Sequence, residues 1–156
     1  MPLLGAHTAK GYQAGSFGFG AVFNFASDTA NVNVRGAVVA LGTWDQIKPL
    51  NVITYVGPAS NIFSNDVSVP ALATGGASNQ LPAKSIITII NAGNITGFNT
   101  NGTAIDCTAN NPIINVSIIN QVRASIKATG TGNAISKNGN TVSVINNGTI
   151  IGTITP

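Results

Sequence analysis

No stretch of this chain spaces its apolar residues at the 3.6-residue period of a helix, and glutamate, a strong helix former, is absent altogether. Valine, isoleucine and threonine, which are stiff at χ1 and pack well on a pleated surface, fill the apolar runs instead. The chain must therefore build its core from strands. Phe17, Phe19, Ala21, Phe23 and Phe25 alternate with small or polar residues, as a half-buried strand requires. Further strands are expected at 32–41, 51–56, 66–69, 113–120 and 122–128, each bounded by Gly, Pro or Asn. In the last of these Val122, Ala124 and Ile126 alternate with Arg123, Ser125 and Lys127, which gives it one wet face.

Three Asn-Gly pairs suggest how strands connect, because both residues tolerate the positive φ of a type I′ hairpin turn. Around Asn101-Gly102, Phe98 would face Ile105. Around Asn138-Gly139, Ile135 would face Val142. Around Asn147-Gly148, Ile145 would face Ile150. The last two turns share a strand, so residues 133–155 read as a three-stranded antiparallel meander. About ten short strands result, and their expected container is an antiparallel β-sandwich or jelly-roll, with a small β-barrel as the alternative. The Asn-Gly-Thr echoes keep no fixed period, which argues against a solenoid.

The length of 156 residues suits one domain with a genuine core. Residues 1–15 carry three glycines and no sustained period, which reads as an extended N-terminal arm. The β-domain of residues 16–156 then divides at a Pro- and Gly-rich loop, 70–84, into aromatic-rich strands (16–69) and an Ile-, Asn- and Gly-rich part (85–156).

Only 7% of the residues are charged, whereas 44% are apolar, so Asn, Thr, Ser and Gly supply the surface polarity. A neutral surface of that kind suits contact with other protein. The seven basic residues are scattered, so the net charge of +3 reflects few acids rather than a patch that could track phosphates. Nucleic acid is not an expected partner. Apolar runs such as Ile86–Ile90 are far shorter than the roughly 20 residues of a membrane-spanning helix. Residues Met1 to His7 also lack the basic start and apolar stretch of a secretory signal, which points away from the general export route.

Catalytic chemistry has few candidates. His7 lies in the arm, and Asp28, Asp45, Asp66 and Asp106 are dispersed without the spacing of a carboxylate pair or a calcium loop. Turn and surface roles suit them better. The segment Ala14-Gly15-Ser16-Phe17-Gly18 approaches a nucleophile elbow but precedes a strand instead of following one. Gly18-Phe19-Gly20 lacks the third glycine and the strand-turn-helix setting of a dinucleotide fingerprint. No enzyme activity, cofactor or metal site is expected. Cys107, the sole cysteine, suits a buried small hydrophobe, and Trp44, the sole tryptophan, suits a core or rim position. A sugar-stacking platform at Trp44 is the sharper alternative.

In overall character, through its arm, the alternating strand from Phe17 to Phe25 and its Asn-Gly-rich end, the chain resembles the capsid decoration (cement) proteins and other small β-structured virion proteins of tailed bacteriophages. That resemblance implies a non-enzymatic structural protein that self-associates, often as a trimer, and contacts a major capsid or tail protein in the virion. Leu3, Leu4, Tyr12, Phe17 and Phe19 are the expected assembly contacts. The alternative is a carbohydrate- or surface-binding adhesin, a fibre or an extracellular filament subunit, which would place the chain at the cell surface.

Overall fold

The computed structural model describes residues 19–35, 49–66, 68–75, 81–98, 102–110 and 113–156. The described residues hold fifteen short strands, wound into five successive coils of three strands each. The first coil contains β1 (Phe19–Phe25), β2 (Thr29–Ala30) and β3 (Val32–Asn33). In the second are β4 (Leu50–Val56), β5 (Asn61–Ser64) and β6 (Leu72–Ala73). The third has β7 (Ile86–Asn91), β8 (Asn94–Gly97) and β9 (Ile105–Asp106). The fourth has β10 (Asn115–Asn120), β11 (Ser125–Ala128) and β12 (Asn133–Ser136), and the fifth β13 (Thr141–Asn146), β14 (Thr149–Ile151) and β15 (Thr153–Thr155).

Every strand pairs with its counterpart one coil away, and every pairing is parallel. Three five-stranded sheets result. Sheet A runs β1-β4-β7-β10-β13, sheet B carries the second strand of each coil and sheet C the third. This is a parallel β-solenoid. The all-β expectation holds, whereas the antiparallel sandwich, the jelly-roll and the small barrel are all overturned.

The expected hairpins fail for a definite reason. Asn138 and Gly139 do adopt positive φ (48° and 77°), and the amide of Asn140 donates to Lys137 O at 3.0 Å, as a type I′ turn requires. Yet this turn carries the chain from sheet C into sheet A, so β12 and β13 never pair. At Asn147-Gly148 neither φ is positive. Gly148 is needed there for a different reason: a side chain would run into the carbonyls of Gln121 and Ala124 in the coil beneath. Gly93 meets the turn at Gly57 and Ser60 in the same way. The strands flanking Gly102 likewise belong to sheets B and C, while Asn101 lies outside the described residues. The three-stranded meander over 133–155 is thus replaced by four strands distributed over three sheets.

Individual strand expectations fare better. Residues 51–56 and 113–120 fall on β4 and β10, and the alternating stretch ending at Phe25 falls on β1. Val122 and Arg123 instead form the corner before β11, and Asp66, Ser68 and Val69 lie outside any strand. Of the stretch 32–41 only Val32–Asn33 is a described strand, and residues 36–41 lie outside the described residues. The arm, residues 1–15, lies outside them too.

The core is a set of vertical rows, because parallel in-register stacking places each inward side chain above its counterpart. In sheet B, Ile62, Ile95, Ile126 and Ile150 form one row. In sheet C, Val32, Leu72, Ile105, Ile135 and Ile154 form another. Sheet A adds Val52, Ile87, Val116 and Val142. Except for the members in the last coil these side chains are buried. Stacking like on like lets β-branched side chains interlock without voids.

Where sheet A turns into sheet B, the row continues as Asn91, Asn120 and Asn146. Asn91 and Asn120 are 0% exposed, so their amides need partners. Asn91 Nδ2 donates to Asn120 Oδ1 (2.9 Å) and to Ser125 O (2.9 Å). Asn120 Nδ2 repeats this one coil on, donating to Asn146 Oδ1 (2.8 Å) and Thr149 O (3.1 Å). The Oδ1 atoms of Asn91 and Asn146 also accept from the amides of Gly93 and Gly148, both at 3.2 Å, which fixes the corner itself. Returning from sheet C to sheet A, Asn140 Nδ2 clamps the carbonyls of Cys107 (2.8 Å) and Thr108 (3.0 Å) in the coil below.

Replacing Asn120 by Ala removes three side-chain hydrogen bonds and strands buried polar groups, which should cost about 3 kcal/mol. Asn146→Ala, at the exposed end of the same ladder, should cost about 1 kcal/mol. Chemical denaturation of the two variants checks this order; equal losses would mean that the ladder does not hold the coils.

Candidate functional site

Two places on the solenoid concentrate features that packing alone does not require. The first is a polar strip on the outer face of sheet C. Asn33, Ala73, Asp106, Ser136 and Thr155 share one outward row. A groove of about 300 Å³ opens beside it, walled by Val69 and Pro70 and floored by Asn33, Gly75, Asp106 and Thr108. Asn33 Nδ2 donates to Gly75 O (3.2 Å), and the Thr108 hydroxyl reaches both Gly75 O (3.0 Å) and Asp106 Oδ2 (3.3 Å). Asn138 Nδ2 donates to Asp106 Oδ1, and the Ser136 hydroxyl to Asn138 Oδ1 (3.0 Å). The strip is thus a chain of side chains that bond one another and tie the coils together.

Burial raises the Asp106 carboxyl above its ordinary value, and the hydrogen bonds from Asn138 and Thr108 pull it partly back down. The protonated form is therefore favoured by folding. Its contribution to stability is complete below the ordinary aspartate range and is lost as pH rises through the raised folded value. Next to it, burial first and the Asp106 charge second push the Cys107 thiol up to about 12. The thiol is buried and unpaired, as the sequence suggests for a small hydrophobe.

The second place is the last coil, whose strands form one open edge on all three sheets. Val142, Val144 and Ile150 pack on the core but remain only partly buried. Ile154, Ile151 and Ile145 are 41%, 48% and 53% exposed. Residues 138–156 carry no charged side chain. Backbone hydrogen bonds fix which groups are left open. The amides of Thr141, Asn147 and Thr149 donate back to Ile114, Asn120 and Ala124, so by alternation those of Val142, Val144 and Ile150 face away from the stack. Asn146 ends its ladder: its Oδ1 accepts twice, and its amide nitrogen has no partner among the described residues.

Most of the residues singled out in the sequence fall outside the described part of the chain. Leu3, Leu4, Tyr12, Phe17, His7, Trp44 and Asp45 lie outside the described residues, and of Phe19 the backbone alone is described, as the first residue of β1. Asp28 accepts from the Asn61 amide at 3.0 Å, and Asp66 from the Ser68 amide and hydroxyl at 2.8 and 2.7 Å. These are turn roles. Among the described residues no three His, Cys, Asp or Glu side chains are grouped as metal ligands, and no helix is long and apolar enough to cross a membrane. The open edge was missed because the meander reading pairs its strands with one another. The signal that marks it is the uncharged run from Asn138 to Pro156.

No family model, curated protein or solved structure matches this chain.

Replacing Asp106 by Asn keeps an acceptor for Asn138 and places a donor against the Thr108 hydroxyl, which still reaches Gly75 O. The variant should melt higher than the parent at about pH 7 and at the same temperature at about pH 3, where the parent carboxyl is protonated. A lower midpoint at neutral pH would contradict the assignment of burial as the dominant cause.

Proposed function

We propose that this chain is a non-enzymatic structural protein that self-associates through the open end of its solenoid, as a component of a larger assembly such as a bacteriophage virion. The observation that carries the reading is the last coil: three edge strands with outward-facing backbone groups, apolar side chains along them and no charge. Soluble proteins ordinarily blunt such edges with lysine, proline within the strand, or a covering segment, because a bare edge templates pairing with another chain. Here β13 offers six residues, Thr-Val-Ser-Val-Ile-Asn, with neither lysine nor proline among them. Burial of Ile145, Ile151 and Ile154 against protein supplies the apolar gain, at roughly 25 cal/mol per Å² removed from water.

The neutral polarity of the rest of the chain supports the same reading, since a lattice component gains from surfaces that neither repel nor steer by charge. The virion setting, with a capsid or tail protein as neighbour, rests on the likeness in general character to phage decoration proteins. Polar contacts on sheet C satisfy one another and so contribute to the stack first.

Ile145→Lys combined with Ile151→Lys places two charges on the outer faces of the open edge without touching the buried rows. Light scattering should find the parent chain multimeric at micromolar concentration and the double variant monomeric, with the same circular dichroism. Association of the parent should persist when salt is raised, because apolar burial is not screened. A parent chain that is monomeric throughout would refute the proposal.

A further inference from the structure

The final coil is close to palindromic, and the repeats fall where a two-fold axis would need them. From Thr149 the sequence reads Thr-Ile-Ile-Gly-Thr-Ile-Thr, which matches Ile150 with Ile154 and Thr149 with Thr155 about Gly152. In β13 the run Thr-Val-Ser-Val-Ile matches Val142 with Val144 about Ser143. An axis entering sheet A at Ser143 and leaving at the corner between sheets B and C, at Gly152, maps β13 onto itself and exchanges β14 with β15. We infer that the partner of this end is a second copy of the chain, docked tail to tail about that axis by antiparallel pairing of the last coils. The inference rests on the self-association proposed above and specifies its face and symmetry.

Three observations carry it. The first is hydrogen-bond parity. The open groups of β13 lie on Val142 and Val144, which the axis sets opposite each other, so each pair can exchange both backbone bonds. In β14 the open residue is Ile150. In β15 the Thr155 carbonyl accepts from Lys137 in the coil below, so alternation leaves Ile154 open. The axis sets Ile150 against Ile154 of the second copy. Secondly, Val142, Val144 and Ile150 pack on the core and Ile154 stands in register with buried Ile135, so each pair sets one core row against another. Lastly, residues close to a two-fold axis meet their own copies, where a charge would repel itself, and residues 138–156 carry no charged side chain.

Head-to-tail stacking fits less well. Register places Phe25 of β1 and Val56 of β4 at the positions that Asn91, Asn120 and Asn146 occupy in later coils. The amide of Asn146 would then meet the Phe25 ring of the next copy where the ladder otherwise supplies a side-chain acceptor. Tail-to-tail pairing also closes at two copies, whereas head-to-tail pairing would continue as a fibre.

The geometry gives a direct test. Ser143 faces itself across the axis as a non-hydrogen-bonded pair, where Cα atoms sit about 4.5 Å apart, within the range a disulfide can bridge. In the full chain, Ser143→Cys should form a covalent dimer in high yield under mild oxidation. Val22→Cys, on the exposed face of β1, should not, and the buried thiol of Cys107 makes the parent chain a clean control. Cross-linking only when the Ser143→Cys and Val22→Cys chains are mixed would overturn tail-to-tail docking while leaving self-association standing. Failure of Ser143→Cys to cross-link, with light scattering still showing multimers, would do the same. A monomeric parent chain would remove both.

Discussion

Register is the constraint on which everything else in this molecule depends, and the buried amides of Asn91 and Asn120 hold it. Each amide spans the gap to the next coil twice, once to a side chain and once to a backbone carbonyl. A slip of one residue would turn the isoleucine rows outward and leave these amides buried without partners. The apolar rows provide most of the driving force, but they are tolerant of sliding because isoleucine meets isoleucine at many offsets. Directional polar contacts at the corners remove that tolerance. Asn140 and the Asp106 strip act likewise on the other corners.

Much of the local structure is legible in the sequence, whereas its assembly into sheets is not. Alternation marks β1, and apolar β-branched runs mark β4 and β10, because these signals are the same whichever way a strand's neighbour runs. Direction of pairing is a tertiary property. Asn138-Gly139 shows this most clearly: the positive φ values read from the pair are present, but the turn serves a corner between sheets. A repeat was available in Ile90-Asn91-Ala92-Gly93-Asn94-Ile95 and Ile145-Asn146-Asn147-Gly148-Thr149-Ile150, with Ile119-Asn120 beginning the corner between them. Its spacing of 29 and then 26 residues defeats a search for one fixed period. Unequal excursions between coils cause the drift, since each sheet needs only that the chain return in register. The polar strip around Asp106 has no sequence signal at all, because its members come from five different coils and only stacking aligns them.

The same stacking logic creates the functional question. A solenoid satisfies each coil by the next, and among the described residues the coil of β13, β14 and β15 has a neighbour on one side only. Val142, Val144, Ile150 and Ile154 continue the core rows to the surface, the Asn ladder stops with a donor, and charge is missing where an edge would ordinarily carry it. The self-association proposed above would apply the mechanism that builds the fold once more between two chains.

Amide hydrogen exchange as a function of protein concentration tests this account most directly. The amides of Val142, Val144 and Ile150 point away from the stack, whereas those of β10 are interior at any concentration. Association through the last coil predicts that exchange at Val142, Val144 and Ile150 slows as concentration rises, with β10 unchanged. Exchange at these three positions that stays fast and independent of concentration, in a sample that light scattering shows to be multimeric, would contradict it.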